Sequence, residues 1–304
     1  MKKAAFLTTD NLDGFVTDDE LLREPLETIG WTVQPVSWRA KNIDWNAFDI
    51  VIIRTPWDYQ NDYRAFLTVL ENIERSSAQL ENGIELVRWN IRKTYLRDLE
   101  ARGIDIVSTI WGTGLDATRL CSLFIELHTG ELVLKPTISA NADYTFRLSL
   151  QSVDGQLSEL ESVFSKREWM AQPFMERIID EGEFSLMYFT GSFSHCILKT
   201  PKPGDFRVQE EHGATITAVL AEPALIADGN RVLTVLGGNP LYARADFVRT
   251  CHNDFALMEL ELIEPALYFR MDPSSPRRFA QALERHMRDR VEPKGSPFIA
   301  GENR

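Results

Sequence analysis

The sequence predicts an α/β (α+β) fold built from three consecutive units. Strand and helix patterns alternate over residues 1–90, a shorter α+β pattern follows over 91–175, and strand-turn-strand patterns dominate 176–304. Alternating strands and helices favour an open parallel sheet, whereas strands joined by short turns favour an antiparallel sheet. We therefore expect an N-terminal parallel α/β domain, a small central α+β subdomain and a C-terminal antiparallel-sheet domain.

The N-terminal unit has the predicted order strand, helix, strand, strand, helix. The segments are KKAAFLT, the amphipathic TDDELLREPLETIG closed by Gly30, WTVQPVSW, FDIVIIRTPWDY and YRAFLTVLENIERSSA. Ligands of open parallel sheets gather beyond the carboxyl ends of the strands. Arg54, Trp57 and Asp58 follow the third strand and are therefore candidate substrate-binding residues. The alternative for RTPWDY is a strand followed by a Pro-initiated turn, with Trp57 packed on the core.

The central unit predicts a loop entering a helix, then a strand, a helix, a strand, a short helix and a strand. These segments are, in order, VRWNIRKTYLRDLEARGI, DIVST, ATRLCSLFIELHTG ending at Gly130, ELVLKP, LESVFSK and REWMAQPFM. The mixture of short strands and helices indicates a small α+β subdomain.

The C-terminal unit predicts two pairs of strands and a final helix. GEFSLMYFTGSFSHCILKT turns at Thr190-Gly191, and YARADFVR pairs with FALMELELI around residues 252–254. The helix MDPSSPRRFAQALERHMRD has Ser274 or Ser275 as its N-cap and Pro276 in its first turn. The tail EPKGSPFIAGENR is expected to be loose.

The composition favours a cytoplasmic protein that acts on small molecules. The 304 residues include 45 acidic and 33 basic side chains, and the net charge of -12 opposes binding to nucleic acid or anionic membranes. No apolar stretch approaches the roughly 20 residues of a membrane helix, and MKKAAFLTTD lacks a secretory apolar region. The three dispersed cysteines, Cys121, Cys196 and Cys251, suggest neither a disulfide framework nor a zinc site.

Familiar catalytic motifs are missing from the sequence. It contains no GxxxxGK[ST] loop, no GxGxxG after the first strand, no HExxH and no GxSxG. His195 and His252 are interpreted as packing or turn residues. Charged residues at strand ends remain as the candidates for chemistry.

The segment LMELELIEP contains three glutamates in an otherwise apolar run. Because strand side chains alternate, Glu259 and Glu261 share a face, and a hairpin brings them beside Arg244 and Asp246. Grouped carboxylates need a divalent cation or several cationic partners. Mg²⁺ suits such oxygen ligands and leaves positions for phosphate oxygens. The alternative is a half-buried strand with a solvated face.

Two lysines supply positive charge that a phosphate would need. Lys135 ends the strand ELVLKP, and Lys93 lies where a helix begins. Each taken alone is better explained as a solvated surface side chain. Taken with the carboxylates, they suggest MgATP bound between two β-rich units.

In this order, the motifs resemble the ATP-grasp superfamily, in the branch of glutathione synthetase and D-alanine:D-alanine ligase. RTPWDY, VRWNIRKTYL, GDFRVQ and MELELIEP are similar to the subgroup of the O-ureido-D-serine cyclo-ligase of D-cycloserine biosynthesis. The resemblance implies an N-terminal domain over 1–90, a central lid subdomain over 91–175 and a C-terminal subdomain with a metal site over 176–304.

The resemblance also implies roles for individual residues. The predicted nucleotide-binding residues are Lys93, Lys135, Ser139, Gln172, Pro173, Phe174, Met175 and Glu183. The metal ligands are Asp246, Glu259 and Glu261; the catalytic cations are Lys199, Arg207 and Arg244; and Gln209 joins Arg54, Trp57 and Asp58 in substrate binding. The chain departs from the family at Glu261, which replaces an asparagine, and in TISANADYTFRL, which lacks glycine where Ser139, Asn141 and Thr145 are the candidate phosphate contacts.

The activity that the resemblance implies is ATP-dependent amide formation through an acyl phosphate, with release of ADP and phosphate. It implies ATP and Mg²⁺, with Mn²⁺ as a substitute, small carboxylate and amine substrates, and a homodimer. Three outcomes stay open besides cyclisation by an intramolecular amine. They are intermolecular ligation to a dipeptide-like product, phosphorylation as the final reaction, and a non-catalytic ATP-binding module.

Overall fold

The computed structural model describes residues 1–291. Its N-terminal part is a parallel sheet with strand order β2-β1-β3-β4, as the alternating pattern predicts. The strands are β1 (Lys2–Thr8), β2 (Trp31–Ser37), β3 (Ile50–Thr55) and β4 (Gln79–Glu81), with the helices α1 (Arg23–Thr28) and α2 (Tyr63–Glu74). Every residue of β3 is buried, so this strand lies at the centre of the hydrophobic core of the N-terminal part.

Helix α2 shows why the sequence folds locally as it does. The Asp62 side chain accepts a hydrogen bond from the Ala65 amide at 3.2 Å and caps the helix. Phe66, Leu70 and Ile73 follow at helical spacing, and all three are buried against the sheet. The helix therefore packs on the sheet by its apolar stripe.

The central part is an antiparallel sheet of order β5-β8-β6-β7. It follows the helices α3 (Ile84–Asn90) and α4 (Tyr95–Ala101). It contains β5 (Ile110–Thr113), α5 (Ala117–Glu126), β6 (Glu131–Pro136), β7 (Phe146–Ser149), α6 (Val153–Phe164) and β8 (Glu168–Pro173).

Two local predictions in the central part are wrong. DIVST is not a strand of this sheet, because the Asp105 and Val107 backbone groups bond to Leu257 at 2.9 and 3.1 Å and draw the segment to the C-terminal sheet. Helix α5 ends at Glu126 rather than at Gly130. His128 takes the left-handed conformation, with φ of 50°, and reverses the chain before the glycine.

The C-terminal part is an antiparallel sheet of order β11-β10-β9-β12-β13. Its elements are α7 (Arg177–Asp180), β9 (Glu183–Phe189), β10 (Ser192–Thr200), β11 (Thr215–Val219), α8 (Pro223–Leu236), β12 (Tyr242–Arg249), β13 (Phe255–Glu261) and α9 (Ser275–Val291). Helix α8, which buries Leu225, Val232 and Leu236, was not predicted from the sequence. The terminal helix is confirmed, and the tail from residue 292 lies outside the described residues.

Buried polar side chains join the parallel sheet to the C-terminal sheet. The Asn82 amide donates to the Tyr242 and Leu262 carbonyls at 3.0 and 2.7 Å and accepts from the Leu241 amide at 2.9 Å. The Tyr242 hydroxyl donates to the Ile53 carbonyl at 2.7 Å. These bonds satisfy groups that would otherwise be buried unpaired, so they fix the relative position of the two sheets.

Within residues 1–291, no helix has the length and apolar character needed to cross a membrane.

Candidate active site

A cavity of about 230 Å³ lies where the three sheets meet. Its wall combines residues that follow β3, the loop and strands of the central sheet, and one face of the C-terminal sheet. All the predicted site residues except Arg54 and Asp58 line it: Trp57, Lys93, Lys135, Ser139, Gln172, Pro173, Phe174, Met175, Glu183, Lys199, Arg207, Gln209, Arg244, Asp246, Glu259 and Glu261.

The acidic residues reach this cavity through the register of β12 and β13. Asp246 pairs with Glu259, and Arg244 pairs with Glu261, so the four side chains share one face of the hairpin. That face borders the cavity. The side chains of Glu259 and Glu261 are 29% and 26% exposed to solvent. The glutamates of LMELELIEP therefore face an enclosed site and not a solvated surface.

Each of these carboxylates pairs with a cation. Lys93 pairs with Glu259, and Arg244 pairs with Glu261. The Arg244 Nη2 atom also lies 3.0 Å from Asp246 Oδ2. Of the two solutions that the sequence allows for grouped carboxylates, this structure uses cationic partners.

Lys199 connects the acidic cluster to Glu183. Its ammonium lies 3.4 Å from Asp246 Oδ2 and pairs with the Glu183 carboxylate. The Ser185 hydroxyl completes the surroundings of Asp246 by donating to Oδ1 at 2.6 Å. Three neighbouring strands, β9, β10 and β12, supply this network, and a one-residue shift of any of them would turn its side chain away from the cavity.

The shared environment separates the pKa values of the carboxyls. Burial would raise the pKa of Asp246, but Arg244 and Lys199 outweigh it and hold the pKa at about 2. Burial raises the pKa of Glu261 to about 7, because Arg244 only partly offsets it and the neighbouring Glu259 and Asp246 carboxylates add to the rise. Asp246 therefore stays ionised while Glu261 is poised to exchange a proton near neutral pH.

The donor chemistry of Asp246, Glu259 and Glu261 fits Mg²⁺, which prefers carboxylate oxygens. Their side chains are turned to Lys93, Lys199 and Arg244, and residues 1–291 contain no group of three or more His, Cys, Asp or Glu already arranged around a metal position. To bind a metal, these carboxylates would have to leave their present cationic partners and turn towards the ion.

Two charged groups of the cavity stand apart from these pairs. Among the described residues, neither the Lys135 ammonium nor the Glu264 carboxyl forms an ion pair, although both lie in the lining and neither is fully exposed. Burial and the neighbouring Lys93 lower the pKa of Lys135. Burial and Glu261 raise the pKa of Glu264 to about 8, against the opposing effect of the Tyr59 hydroxyl. Lys135 is thus open to an anion, and Glu264, which is mostly uncharged at neutral pH without a partner, would ionise beside a bound cation.

The end of β8 and the two residues that follow it form an apolar part of the wall. Gln172 is buried, and its amide donates to the Thr109 hydroxyl at 3.0 Å. The Phe174 ring lies 3.7 Å from the Arg147 guanidinium and 6.1 Å from the Phe206 ring. Pro173 and Met175 flank it in the lining. A flat aromatic group could enter between these side chains.

Two loops meet over the cavity. In the first, residues 137–145, Asn141, Ala142 and Tyr144 have φ angles of 52, 58 and 52°. The loop thus adopts glycine-like conformations without a glycine. In the second, residues 201–214, the His212 ring lies 3.1 Å from the Asn141 carbonyl. The loops are therefore in contact in this structure.

The second loop contributes Arg207 and Gln209 to the wall. Arg207 forms a forked pair with Asp205, with its Nη2 atom 2.7 Å from Oδ2. The Gln209 Oε1 atom is buried and accepts no hydrogen bond from the described residues. That oxygen is available to a donor on a bound molecule.

Arg54 and Asp58 lie outside the cavity lining. Arg54 is 2% exposed, and its guanidinium donates to the Asp19 carboxylate at 2.8 and 3.0 Å. Asp58 accepts hydrogen bonds from the Trp38 indole at 2.7 Å and the Arg39 guanidinium at 2.9 Å. Both charges are thus used within the protein.

Trp57 packs within the protein and also borders the cavity, so its substrate-binding role stays a prediction. It lines the cavity and packs against Phe15, with ring centroids 5.2 Å apart, and its indole donates to the Glu264 carbonyl at 2.9 Å. Sequence reasoning missed several lining residues: Phe15, Tyr59, Tyr95, Glu264 and Tyr268. The signal for two of them was present, because Tyr59 ends RTPWDY and Glu264 is the third glutamate of LMELELIEP.

The sequence is similar to that of proteins of cycloserine biosynthesis. The family described as the N-terminal domain of the D-cycloserine synthetase DcsG matches residues 4–82. The cycloserine biosynthesis protein DcsG of Streptomyces lavendulae is 29% identical over 290 residues, which cover 88% of this chain and 93% of that protein.

Solved structures show the same similarity over nearly the whole chain. The crystal structure of D-cycloserine synthetase DcsG superposes with a TM-score of 0.84 at 25% identity, covering 94% of this chain and 99% of that one. The D-alanine–D-alanine ligase of Bacillus anthracis gives a TM-score of 0.69 at 14% identity, covering 95% and 98%. The ATP-grasp ligase PsnB gives 0.64 at 13%, covering 93% and 99%. The last two likenesses concern the fold, which is the ATP-grasp fold.

Proposed function

The chain is an ATP-grasp ligase of the class that forms carbon-nitrogen bonds, and from this premise we propose that it joins a carboxylate and an amine through an acyl phosphate. ATP transfers its terminal phosphoryl group to a carboxylate oxygen of a small, amino-acid-like substrate and leaves as ADP. The amine nitrogen then attacks the acyl carbon, phosphate departs with the former carboxylate oxygen, and the nitrogen loses a proton. The product is an amide.

The observation that carries this proposal is the joint placement of cations and carboxylates in one cavity. Lys93, Lys199 and Arg244 each form an ion pair there, while Lys135 has no acidic partner among residues 1–291. Phosphoryl transfer needs fixed cations around the moving group, and such preorganised charge is typically worth several kcal/mol. A cavity built only to bind an uncharged molecule would gain nothing from this arrangement.

The nucleotide would lie between the central and C-terminal sheets. We assign its phosphates to Lys93, Lys135 and Ser139, its ribose to Glu183, and its base to the wall formed by Gln172, Pro173, Phe174 and Met175. The apolar surface around Phe174 suits a flat base. The unpaired ammonium of Lys135 suits a phosphate, because binding an anion would satisfy a buried cation.

Asp246, Glu259 and Glu261 would hold Mg²⁺, with Mn²⁺ as a substitute of similar ligand preference. Bound there, the ion would neutralise charge on the phosphate oxygens. The ion pairs of the cavity suggest how these ligands become available. Phosphate oxygens offer Lys93 and Arg244 new anionic partners, which releases Glu259 and Glu261 from them.

The remaining cations would act on the reacting groups. We assign Arg207 and Arg244 to the transferred phosphoryl group and the acyl oxygen, and Lys199 to the same charged region through its contact with Asp246. The meeting of the loops 137–145 and 201–214 would exclude water, which would otherwise hydrolyse the acyl phosphate. Gln209 offers its free oxygen to a donor on the substrate.

The nature of the amine distinguishes the two candidate reactions. The similarity to a cycloserine biosynthesis protein favours a cyclic product, made by an intramolecular amine. The cyclo-ligase subgroup that the sequence motifs resemble makes O-ureido-D-serine the first substrate to examine. Ligation of two amino acids is the second candidate, suggested by the fold shared with D-alanine–D-alanine ligase.

The experiment measures ADP and phosphate when the protein is mixed with ATP, Mg²⁺ and either O-ureido-D-serine or pairs of amino acids. We expect both products to form together and only with substrate. Mass spectrometry then separates a product made from one substrate molecule from a product made from two. AMP with pyrophosphate would exclude the acyl-phosphate route, ADP without free phosphate would indicate a stable phosphorylated product, and tight ATP binding without turnover would indicate a binding module.

A further inference from the structure

Glu264 is a cavity carboxyl that the proposed reaction leaves without a role. It follows β13 by three residues and lies in the lining, beyond the face that carries Asp246, Glu259 and Glu261. Among residues 1–291, no lysine, arginine or histidine forms an ion pair with it. Every other acidic side chain of the lining that is not exposed has a cationic partner.

The protein holds Glu264 in place through the segment RTPWDY. The Trp57 indole donates to the Glu264 carbonyl at 2.9 Å, and the Arg54 guanidinium reaches the next carbonyl, that of Pro265, at 3.5 Å. Tyr59 lines the cavity with Glu264, and its hydroxyl opposes the rise in the pKa of that carboxyl. The backbone that carries Glu264 is therefore held from the segment that follows β3.

The surroundings of Glu264 are aromatic. Phe15, Trp57 and Tyr59 line the same part of the cavity, and the first two rings pack together at 5.2 Å. A carboxyl beside aromatic rings suits an ammonium group, because the carboxylate supplies the opposite charge and the ring faces attract cations. A hydrated metal ion would instead require further oxygen ligands, which these side chains do not offer.

We propose that Glu264, positioned by Trp57 and Tyr59, binds a protonated amino group on the carboxylate substrate. The inference rests on the proposed ligase function and assigns the side chain that recognises the amino group of its amino-acid-like substrate. It also gives Arg54 and Trp57 a positioning role, since both hold the backbone of residues 264 and 265. Lys135 and Glu264 would then mark the nucleotide part and the substrate part of the cavity.

Binding of two probes tests this assignment without turnover. Calorimetry measures the affinity of the ADP- and Mg²⁺-loaded protein for O-ureido-D-serine and for 3-(ureidooxy)propanoate, which lacks only the amino group. We expect the wild type to prefer the amino compound by roughly 10- to 100-fold, as a charge-assisted hydrogen bond of about 1.5–3 kcal/mol implies. Glu264→Gln should reduce this preference to less than about threefold while leaving ADP affinity unchanged.

Two further variants separate recognition from a general loss of structure. Tyr59→Phe keeps the carboxyl and should lose only part of the preference. Glu27→Gln removes an exposed carboxylate of α1 outside the cavity and should keep all of it. Equal affinity of the wild type for the two probes, including no measurable binding of either, would overturn the inference, as would full preference in a folded Glu264→Gln protein.

The same variants distinguish this inference from the proposed function. If the wild type releases ADP and phosphate with substrate while Glu264→Gln keeps the preference for the amino compound, only the role of Glu264 is lost. If the amino compound is preferred but no substrate supports ADP release, the result contradicts the proposed ligase reaction and supports the binding of the amino group by Glu264.

Discussion

The Lys93 ammonium pairs with the Glu259 carboxylate, although 166 residues separate them in the sequence. Lys93 precedes α4, and Glu259 lies on β13, so this contact closes one side of the cavity. Burial would lower the pKa of Lys93, but the Glu259 carboxylate outweighs it and raises that pKa, so the lysine stays charged. We expect a metal-bound phosphate to replace this ion pair, with Lys93 contacting the phosphate and Glu259 contacting the metal.

Replacing Lys135 by methionine should weaken nucleotide binding without lowering stability. Lys135 has no acidic partner among the described residues, so its loss leaves no buried charge unpaired. We expect the dissociation constant for ADP to rise roughly 10- to 100-fold, as for one lost charge-assisted contact. Calorimetry and thermal unfolding measure the two quantities. Lys41→Met, on an exposed lysine, is the matched control, and unchanged ADP affinity in Lys135→Met would exclude a phosphate contact.

Acid should destabilise the protein through His195. Burial lowers the pKa of His195 to about 4, against the opposing hydrogen bond to the Leu267 carbonyl. The unfolded chain takes up this proton near pH 6.5, so stability is complete above that pH and falls as the pH drops towards 4.

Comparison of His195→Gln with the wild type isolates this contribution. The free energy of unfolding of the wild type should fall by roughly 2–3 kcal/mol more than that of the variant between pH 7 and pH 4.5. His252→Gln, on an exposed turn, should follow the wild type. Parallel pH curves for His195→Gln and the wild type would show that His195 titrates normally.

Two glycines in helices should respond in opposite directions to alanine. A Cβ atom on Gly229 of α8 would lie 2.1 Å from the Tyr188 hydroxyl, whereas one on Gly155 of α6 would meet nothing within 4 Å. Gly229→Ala should lower the free energy of unfolding by about 1–3 kcal/mol because the core is overpacked. Gly155→Ala should raise it by about 0.5–1 kcal/mol through helix propensity. Chemical denaturation measures both, and equal effects would contradict the packing of α8 on β9.

The sequence predicted the parts of the site that depend on alternation along a strand. A period of two places Arg244 with Asp246 on one face of their strand and Glu259 with Glu261 on one face of theirs. The pairing of Asp246 with Glu259 also needs the register shift between Asp246 and Phe247, which alternation does not predict. The pairing of Arg54 with Asp19 could not be predicted in this way. It joins residues 35 positions apart, and only the packed structure brings them together.

Helix α8 was missed for a different reason. Its segment PALIADGNRVLTVL buries Leu225, Val232, Leu233 and Leu236 at helical spacing, but the position between them is Gly229, at the contact with Tyr188, which interrupts the apolar stripe. The boundary signals were nevertheless present. Pro223 stands in the first turn, and Gly237 ends the helix in the left-handed conformation. Both the spacing and the boundaries of this helix are therefore written in the sequence, and the glycine inside the stripe obscures them.

The effect of Mg²⁺ on ADP affinity directly tests whether Asp246 and Glu259 bind the metal that accompanies the nucleotide. It is measured in the wild type, Asp246→Asn and Glu259→Gln, with Glu27→Gln as the exposed control. We predict that Mg²⁺ tightens ADP binding at least tenfold in the wild type and control and has almost no effect in the two cavity variants. Without Mg²⁺, Glu259→Gln should bind ADP at least as well as the wild type, because Lys93 is then free. If Mg²⁺ tightened ADP binding equally in all four proteins, Asp246 and Glu259 would not be metal ligands.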